Sequence, residues 1–244
     1  MTMASPVSHQ ALDGVSFRLD GDPDLDLGGP ATSAADLSLA GRLVEITSGE
    51  ATLGEDVAEA LGIDDFDSEL SFLGGTLRTA VTQEYEARSQ LAERPMLVVW
   101  QGERSSLVLR LYGVTLDDVV HLLRPLRITE SLDGLSLTTP EDGGYGFTRP
   151  ASVIKEIPGL GLVEMSRPTR EDTAQLPPWD GAAVASGRLY RDTLSDGQTF
   201  FLLSGEELWA TVVPLEGAAE QVAARLGGLR LSVSGAGARR GARS

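Results

Sequence analysis

Cysteine is absent from the 244 residues. Disulfides, thiolate metal sites and a cysteine nucleophile are therefore excluded, and the redox compartment stays undecided. Histidine is almost as scarce, with only His9 and His121, too few for a zinc site that has no thiolate to help. Lysine occurs once, at Lys155, so all but one of the 20 basic residues are arginine. Positive charge is in deficit overall: 20 basic against 36 acidic residues leave a formal charge of -16. Such a chain is repelled by phosphate backbones and by anionic lipid surfaces, so neither nucleic acid nor membrane is an expected partner. No apolar run approaches the roughly 20 residues that cross a bilayer. The opening MTMASPVSHQALDG lacks the basic start and the apolar core of a secretory signal, which makes the cytoplasm the expected compartment.

Arginine in place of lysine, together with abundant Ala, Gly, Leu and Asp, suggests a GC-rich bacterial genome, a coding bias and not a function. Most of the rest reads as β-strand. VSFRLDG (15–21), DLSLAGRLVEI (36–46), MLVVWQG (96–102), SLVLRLYG (106–113), GLVEMSRP (161–168), GRLYRDTL (187–194), TFFLLSG (199–205), LWATVVP (208–214) and LRLSVSG (229–235) are short apolar or alternating runs bounded by turn residues. Gly102-Glu103-Arg104 and Ser195-Asp196-Gly197 read as hairpin connections.

Three segments switch to helical spacing. In TLDDVVHLLR (115–124) Leu116, Val119, Val120 and Leu123 share one face behind an N-cap at Thr115. GAAEQVAARLGG (217–228) presents Ala219, Val222, Ala223 and Leu226, and TLGEDVAEALG (52–62) presents Leu53, Val57 and Leu61. The expected fold class is α+β, a mainly antiparallel sheet covered by about three short amphipathic helices. The order strand, turn, strand, helix, strand appears twice, at MLVVWQGERSSLVLRLYG-TLDDVVHLLR-PLRI and at QTFFLLSGEELWATVVP-GAAEQVAARLGG-LRLSV. Either a β-β-α-β unit is duplicated, or an order common among antiparallel α+β domains has recurred. The expected organisation is an acidic, partly disordered segment 1–35 with one short strand, a single domain 36–235 with halves 36–150 and 151–235, and a disordered arginine-containing tail 236–244.

The nearest approach to a chemical motif is DGDPDLDLGG (20–29). Alternating aspartates suit a calcium loop only when a glycine follows at position 6 and a glutamate closes the site at position 12. Counted from Asp20 those positions are Leu25 and Ala31, and counted from Asp22 they are Leu27 and Ser33, so an acidic solvated linker is the expectation. His121 has Asp117 and Asp118 on its side of a helix, an arrangement that a general base needs and that any solvated helix face also shows. No G-x-S-x-G nucleophile and no phosphate loop accompany it. Neither a catalytic residue, nor a metal ligand, nor a cofactor is expected. The segment RPTREDTAQLPPWDGAA (167–183) sets Trp179 beside Pro177 and Pro178, and EDGGYGFTRP (141–150) carries Tyr145 and Phe147. These five are the candidate binding residues, since a loop tryptophan either plugs its own core or meets a partner. The expected function is a non-catalytic interaction or ligand-binding module, with a protein or a small apolar molecule as partner. The alternative is a carboxylate-dependent hydrolase, which needs only two suitably spaced acids.

Overall fold

A computed structural model describes residues 6–82, 84–86, 91–215 and 219–235. Mainly antiparallel sheet, with 47% strand and 14% helix, it is an α+β protein in which helices are few. The chain starts with β1 (Val7–Gln10) and β2 (Ser16–Asp20). It continues through β3 (Thr32–Leu39), β4 (Arg42–Glu50), α1 (Leu53–Ala60), β5 (Ser68–Phe72), β6 (Gly75–Val81), β7 (Glu84–Glu86), β8 (Leu91–Glu93), β9 (Met96–Gln101), β10 (Ser105–Leu111), α2 (Leu116–Leu123), β11 (Arg127–Ser131), β12 (Gly134–Thr138) and β13 (Gly146–Phe147). The remainder is β14 (Ser152–Ile157), β15 (Gly161–Ser166), α3 (Arg170–Ala174), β16 (Ala182–Val184), β17 (Gly187–Thr193), β18 (Thr199–Ser204), β19 (Trp209–Val213), α4 (Ala219–Gly228) and β20 (Arg230–Ser234). The contacts divide into two compact units. Residues 34–149 form a middle unit, and residues 1–33 with 150–244 form a terminal unit.

In the middle unit the strands lie in the order β3-β4-β10-β9-β6-β5, with β11 and β12 paired separately. In the terminal unit the order is β14-β15-β19-β18-β17-β16, with β1, β2 and β20 paired separately. Apart from the added pair β7–β8 of the middle unit, these follow the same path: a hairpin, a helix, four sheet strands that fold back beside the hairpin, a helix, and a strand that leaves for a second sheet. The central hairpins match residue for residue. Gly102 N–H donates to Ser105 O at 2.9 Å, and Gly205 N–H donates to Leu208 O at 2.8 Å. Gln101 thus corresponds to Ser204. A Cβ placed on Gly75 would lie 2.4 Å from Gln101 O, and one on Gly187 would lie 2.2 Å from Ser204 O, so each unit keeps a glycine where the neighbouring strand's carbonyl comes closest. The last helices match as well: Val119, Leu123 and Leu126 are buried in one unit and Val222, Leu226 and Leu229 in the other.

Several expectations are corrected. Residues 36–46 are not one strand but the hairpin β3–β4, whose turn residues Ala40 and Gly41 have φ of 51° and 83°, the positive pair that a type I′ turn requires. The signal was hidden because alanine occupies a place that usually carries asparagine. Before residue 36 there are two complete strands and the start of a third, not one. Among the described residues four helices replace the expected three, and the additional one, α3, buries none of its residues. Thr169 caps it, accepting from Asp172 N at 3.1 Å while Asp172 Oδ2 accepts from Thr169 N at 2.7 Å. Pro177 and Pro178 then stop it within two turns, because a residue before proline is driven out of the helical region. The arginine tail expected at 236–244 lies outside the described residues.

Candidate functional site

The aspartate run comes first, because its backbone carbonyls are held by a cation of the protein's own. Leu25 and Leu27 turn inward and are buried, which sends Asp22, Asp24 and Asp26 outward. Asp26 Oδ1 accepts from Gly28 N at 3.1 Å, closing a local turn. Beneath the turn lies the side chain of Lys155, 1% exposed. Its Nζ donates to the carbonyls of Gly28 at 2.6 Å, Gly29 at 2.8 Å and Pro30 at 3.2 Å. The sequence reading of a solvated linker is corrected here: alternate leucines and the chain's one lysine anchor the loop. Among the described residues no group of three or more His, Asp or Glu side chains is placed to hold a metal ion.

A cleft of about 430 Å³ opens in the middle unit at the end of α1. Ala58, Ile63 and Phe66 form its apolar lining, and Glu55, Glu59, Asp64, Asp65 and Glu69 its acidic one. Arg78 projects among them. Its Nη1 donates to Glu55 Oε1 at 2.6 Å and its guanidinium stacks 4.5 Å from the centre of the Phe66 ring. The cation is thereby committed to neighbours inside the unit, joining β6 to α1.

His121 lies exposed on α2, where the acids nearby serve the helix and not the imidazole. Asp118 Oδ2 accepts from Thr115 N at 2.8 Å and from the Thr115 hydroxyl at 2.7 Å. These bonds, with weaker attraction from Arg42 and His121, hold the Asp118 carboxyl below the usual carboxylate range.

The five candidate binding residues fall in different units. Tyr145 and Phe147 are half-buried in the middle unit, where Gly146 and Phe147 of β13 pair with Ser38 and Leu37 of β3. Pro177, Pro178 and Trp179 follow α3 in the terminal unit. The Trp179 side chain is 49% exposed, so it does not plug a core. Trp100, by contrast, is 2% exposed and donates its Nε1 proton to Phe72 O at 2.8 Å.

Sequence reasoning missed a surface. In the terminal sheet, Leu162 pairs with Val213, and Phe200 and Asp192 continue the same row on β18 and β17. Just past the strand ends Leu194 N–H donates to Gln198 O at 2.8 Å and the Gln198 amide donates to Pro214 O at 3.3 Å, so Leu194 and Leu215 border that end of the sheet. Leu162, Leu194 and Leu215 are 39%, 40% and 55% exposed, and Phe200 and Val213 between them are half-buried. With Trp179, these leucines are the large exposed apolar residues of the described terminal unit. Each reads in sequence as an ordinary strand or turn position, and only the pairing of β15, β19, β18 and β17 brings the leucines to one end of the sheet. Set against protein-family models, curated proteins and solved structures, the chain matches none.

Proposed function

We propose that the chain is a non-catalytic protein-interaction module built from a duplicated β-sheet unit. The duplication, wider than the β-β-α-β segment visible in the sequence, is supported by the shared strand order, the matched hairpin bonds and the matched buried triplets of α2 and α4. The observation that carries the binding role is the exposed apolar surface of the terminal unit. Leu162, Leu194 and Leu215 remain partly in solvent around the row of Val213 and Phe200, and grouped exposed apolar side chains mark interaction sites. In the acidic cleft of the middle unit the one arginine, Arg78, is already paired to Glu55.

The test is affinity capture by the full chain in its native host, combined with assays against model ester and glycoside substrates. A partner recovered near one-to-one stoichiometry, with no turnover, is the expected result. Turnover that falls at least 100-fold on Glu55→Gln or Glu59→Gln, with no partner recovered, would instead establish the carboxylate hydrolase.

A further inference from the structure

The two units share a strand path but differ in what lies on one face of the larger sheet. In the middle unit α1 packs there. Ala58 sits on Leu97, Val99 and Val108, and Leu53, Val57, Leu61 and Phe66 close around them. The helix lies tight on the strands because residue 54 is glycine: a Cβ would meet Val99 Cγ1 at 2.3 Å and Ser106 Oγ at 2.8 Å. Counting from the matched hairpins, the counterparts of Leu97, Val99 and Val108 in the terminal unit are Phe200, Leu202 and Thr211. The first three are buried and the second three only half-buried.

The covering helix fails in the terminal unit for a local reason. Ser106 pairs across to Gly49 in register with β4, and its counterpart Trp209 pairs with Ser166. Thr52 and Thr169, each three residues further on, stand directly before α1 and α3. Glu171 therefore occupies the place of Gly54, and Trp209 the place of Ser106. A glutamate over a tryptophan cannot make the close approach that glycine makes over serine. The five-residue α3 buries none of its residues, and the row from Leu162 through Val213 to Phe200, which ends at Asp192, stays open with Leu194 and Leu215 beside it.

We propose that this face of the terminal unit binds an amphipathic helix whose apolar stripe is flanked by basic residues, contributed by a partner protein, in the position that α1 fills in the middle unit. The proposal rests on the interaction-module reading above and names its surface and its partner class. Dimensions fit the occupant. Three strand spacings separate β15 from β17, about 14 Å, which a helix of about ten residues spans, and α1 covers the matching face with eight. Charge selects its sign. Glu156, Glu164 and Asp192 lie on the same face by the register of β14, β15 and β17, whereas Arg188 is engaged by Asp180 at 3.4 Å. Lysines and arginines flanking the apolar stripe of the incoming helix complement that rim. The rim also disfavours a second copy of this chain, since two such faces would oppose carboxylate to carboxylate on chains of net charge -16.

The experiment places a photo-crosslinking phenylalanine analogue at position 162 or 194 of the full chain in its native host, with positions 43 and 132 of the middle unit as exposed controls. The expected result is one adduct specific to positions 162 and 194. Its mapped partner peptide carries apolar residues at helical spacing with net positive charge, and the yield falls at least tenfold with Leu215→Asp or in 0.5 M salt. Leu215→Asp leaves the melting temperature unchanged, so lost yield reports the surface and not the fold. Adducts to a second copy of the chain, or to an acidic or extended peptide, overturn the proposal. Adducts from the control positions alone overturn this surface while leaving the interaction reading intact, and no adduct from any position overturns both.

Discussion

The middle and terminal units run the same strand path, yet one is sealed by its own helix and the other is not. One glycine and one proline pair separate the outcomes. Gly54 lets α1 lie against Val99 and Ser106, and without an early proline the helix runs on to Ala60, long enough to lay Leu53, Val57 and Leu61 on the sheet. In the terminal unit Glu171 denies the approach and Pro177-Pro178 deny the length. A fold thus tolerates loss of its cover when the exposed row is short and rimmed with carboxylates, which keep that row soluble and suit it to a helix from elsewhere.

The comparison is tested most strongly at the two tryptophans. Trp100→Ala in the middle unit should cost about 3–5 kcal/mol, as for other buried large aromatics, because it empties a packed site and removes the indole hydrogen bond to Phe72 O. Trp179→Ala should change stability by under about 0.5 kcal/mol. Urea denaturation of both variants checks this, and equal losses would show that Trp179 is packed after all.

A second contrast lies in the inner rows of the first strands. On β3 the row beyond Ser33 is Ala35, Leu37 and Leu39, all buried and apolar, whereas on β14 the row is Val153, Lys155 and Ile157, with a buried charge at its centre. Lys155→Met keeps the length of the side chain but removes the charged donor to three carbonyls, and should destabilise by about 1.5–3 kcal/mol, the usual worth of hydrogen bonds to a charged group. Calcium at about 1 mM should neither rescue the variant nor raise the melting temperature of the parent chain, because a bound ion well above its Kd would raise it. A calcium-specific rise would show that the outward aspartates ligate.

Next in size is the helix seat itself. Gly54→Leu should destabilise by about 2 kcal/mol through overpacking against Val99, read as a shifted urea midpoint. Glu171→Leu, at the matching place on α3, should stay within about 0.5 kcal/mol, as for a surface position. A comparable loss at both would mean that α3 is seated on its sheet.

How far the sequence shows this depends on whether a feature is local. Helix α2 is legible from Thr115 to Leu123 because its cap and apolar spacing lie within ten residues, and α1 and α4 are legible from their apolar spacing alone. The hairpin turn at Gly102 is legible for the same reason. Helix α3 carries a cap signal, Thr169 with Asp172 three residues on, but no apolar stripe follows it, so periodicity gives no hint. The pairing of β20 with β2 joins residues more than two hundred positions apart, and nothing in either strand names the other. The buried role of Lys155 is equally hidden, because a lone lysine between isoleucine and glutamate looks like a solvent-facing strand position. The candidate site was least legible of all: Leu162, Leu194 and Leu215 are ordinary residues until three strand registers bring them together.

The smallest expected effect separates the last helices of the two units. Asp118 on α2 is held below the usual carboxylate range first by the Thr115 N–H and then by the Thr115 hydroxyl. Glu220 on α4 is held down first by its own backbone N–H, and then by Arg191 through both a hydrogen bond and charge attraction, the two groups 3.3 Å apart. A carboxyl whose pKa is depressed by folding adds stability above its unfolded pKa, and that contribution is lost as pH falls through the folded value. Asp118→Asn and Glu220→Gln should therefore each be less stable than the parent near neutrality, with the gap closing as pH drops below the ordinary carboxylate range. Salt should tell the two apart. Capping bonds act at contact distance, whereas attraction between exposed charges is screened over a Debye length that shrinks to about 3 Å at 1 M. Followed by NMR titration, the Glu220 pKa should rise towards its ordinary value in 1 M salt while that of Asp118 moves less. If Asp118 moves as far as Glu220, its depression comes from Arg42 and His121 and not from the cap, and the contrast between the two helices fails.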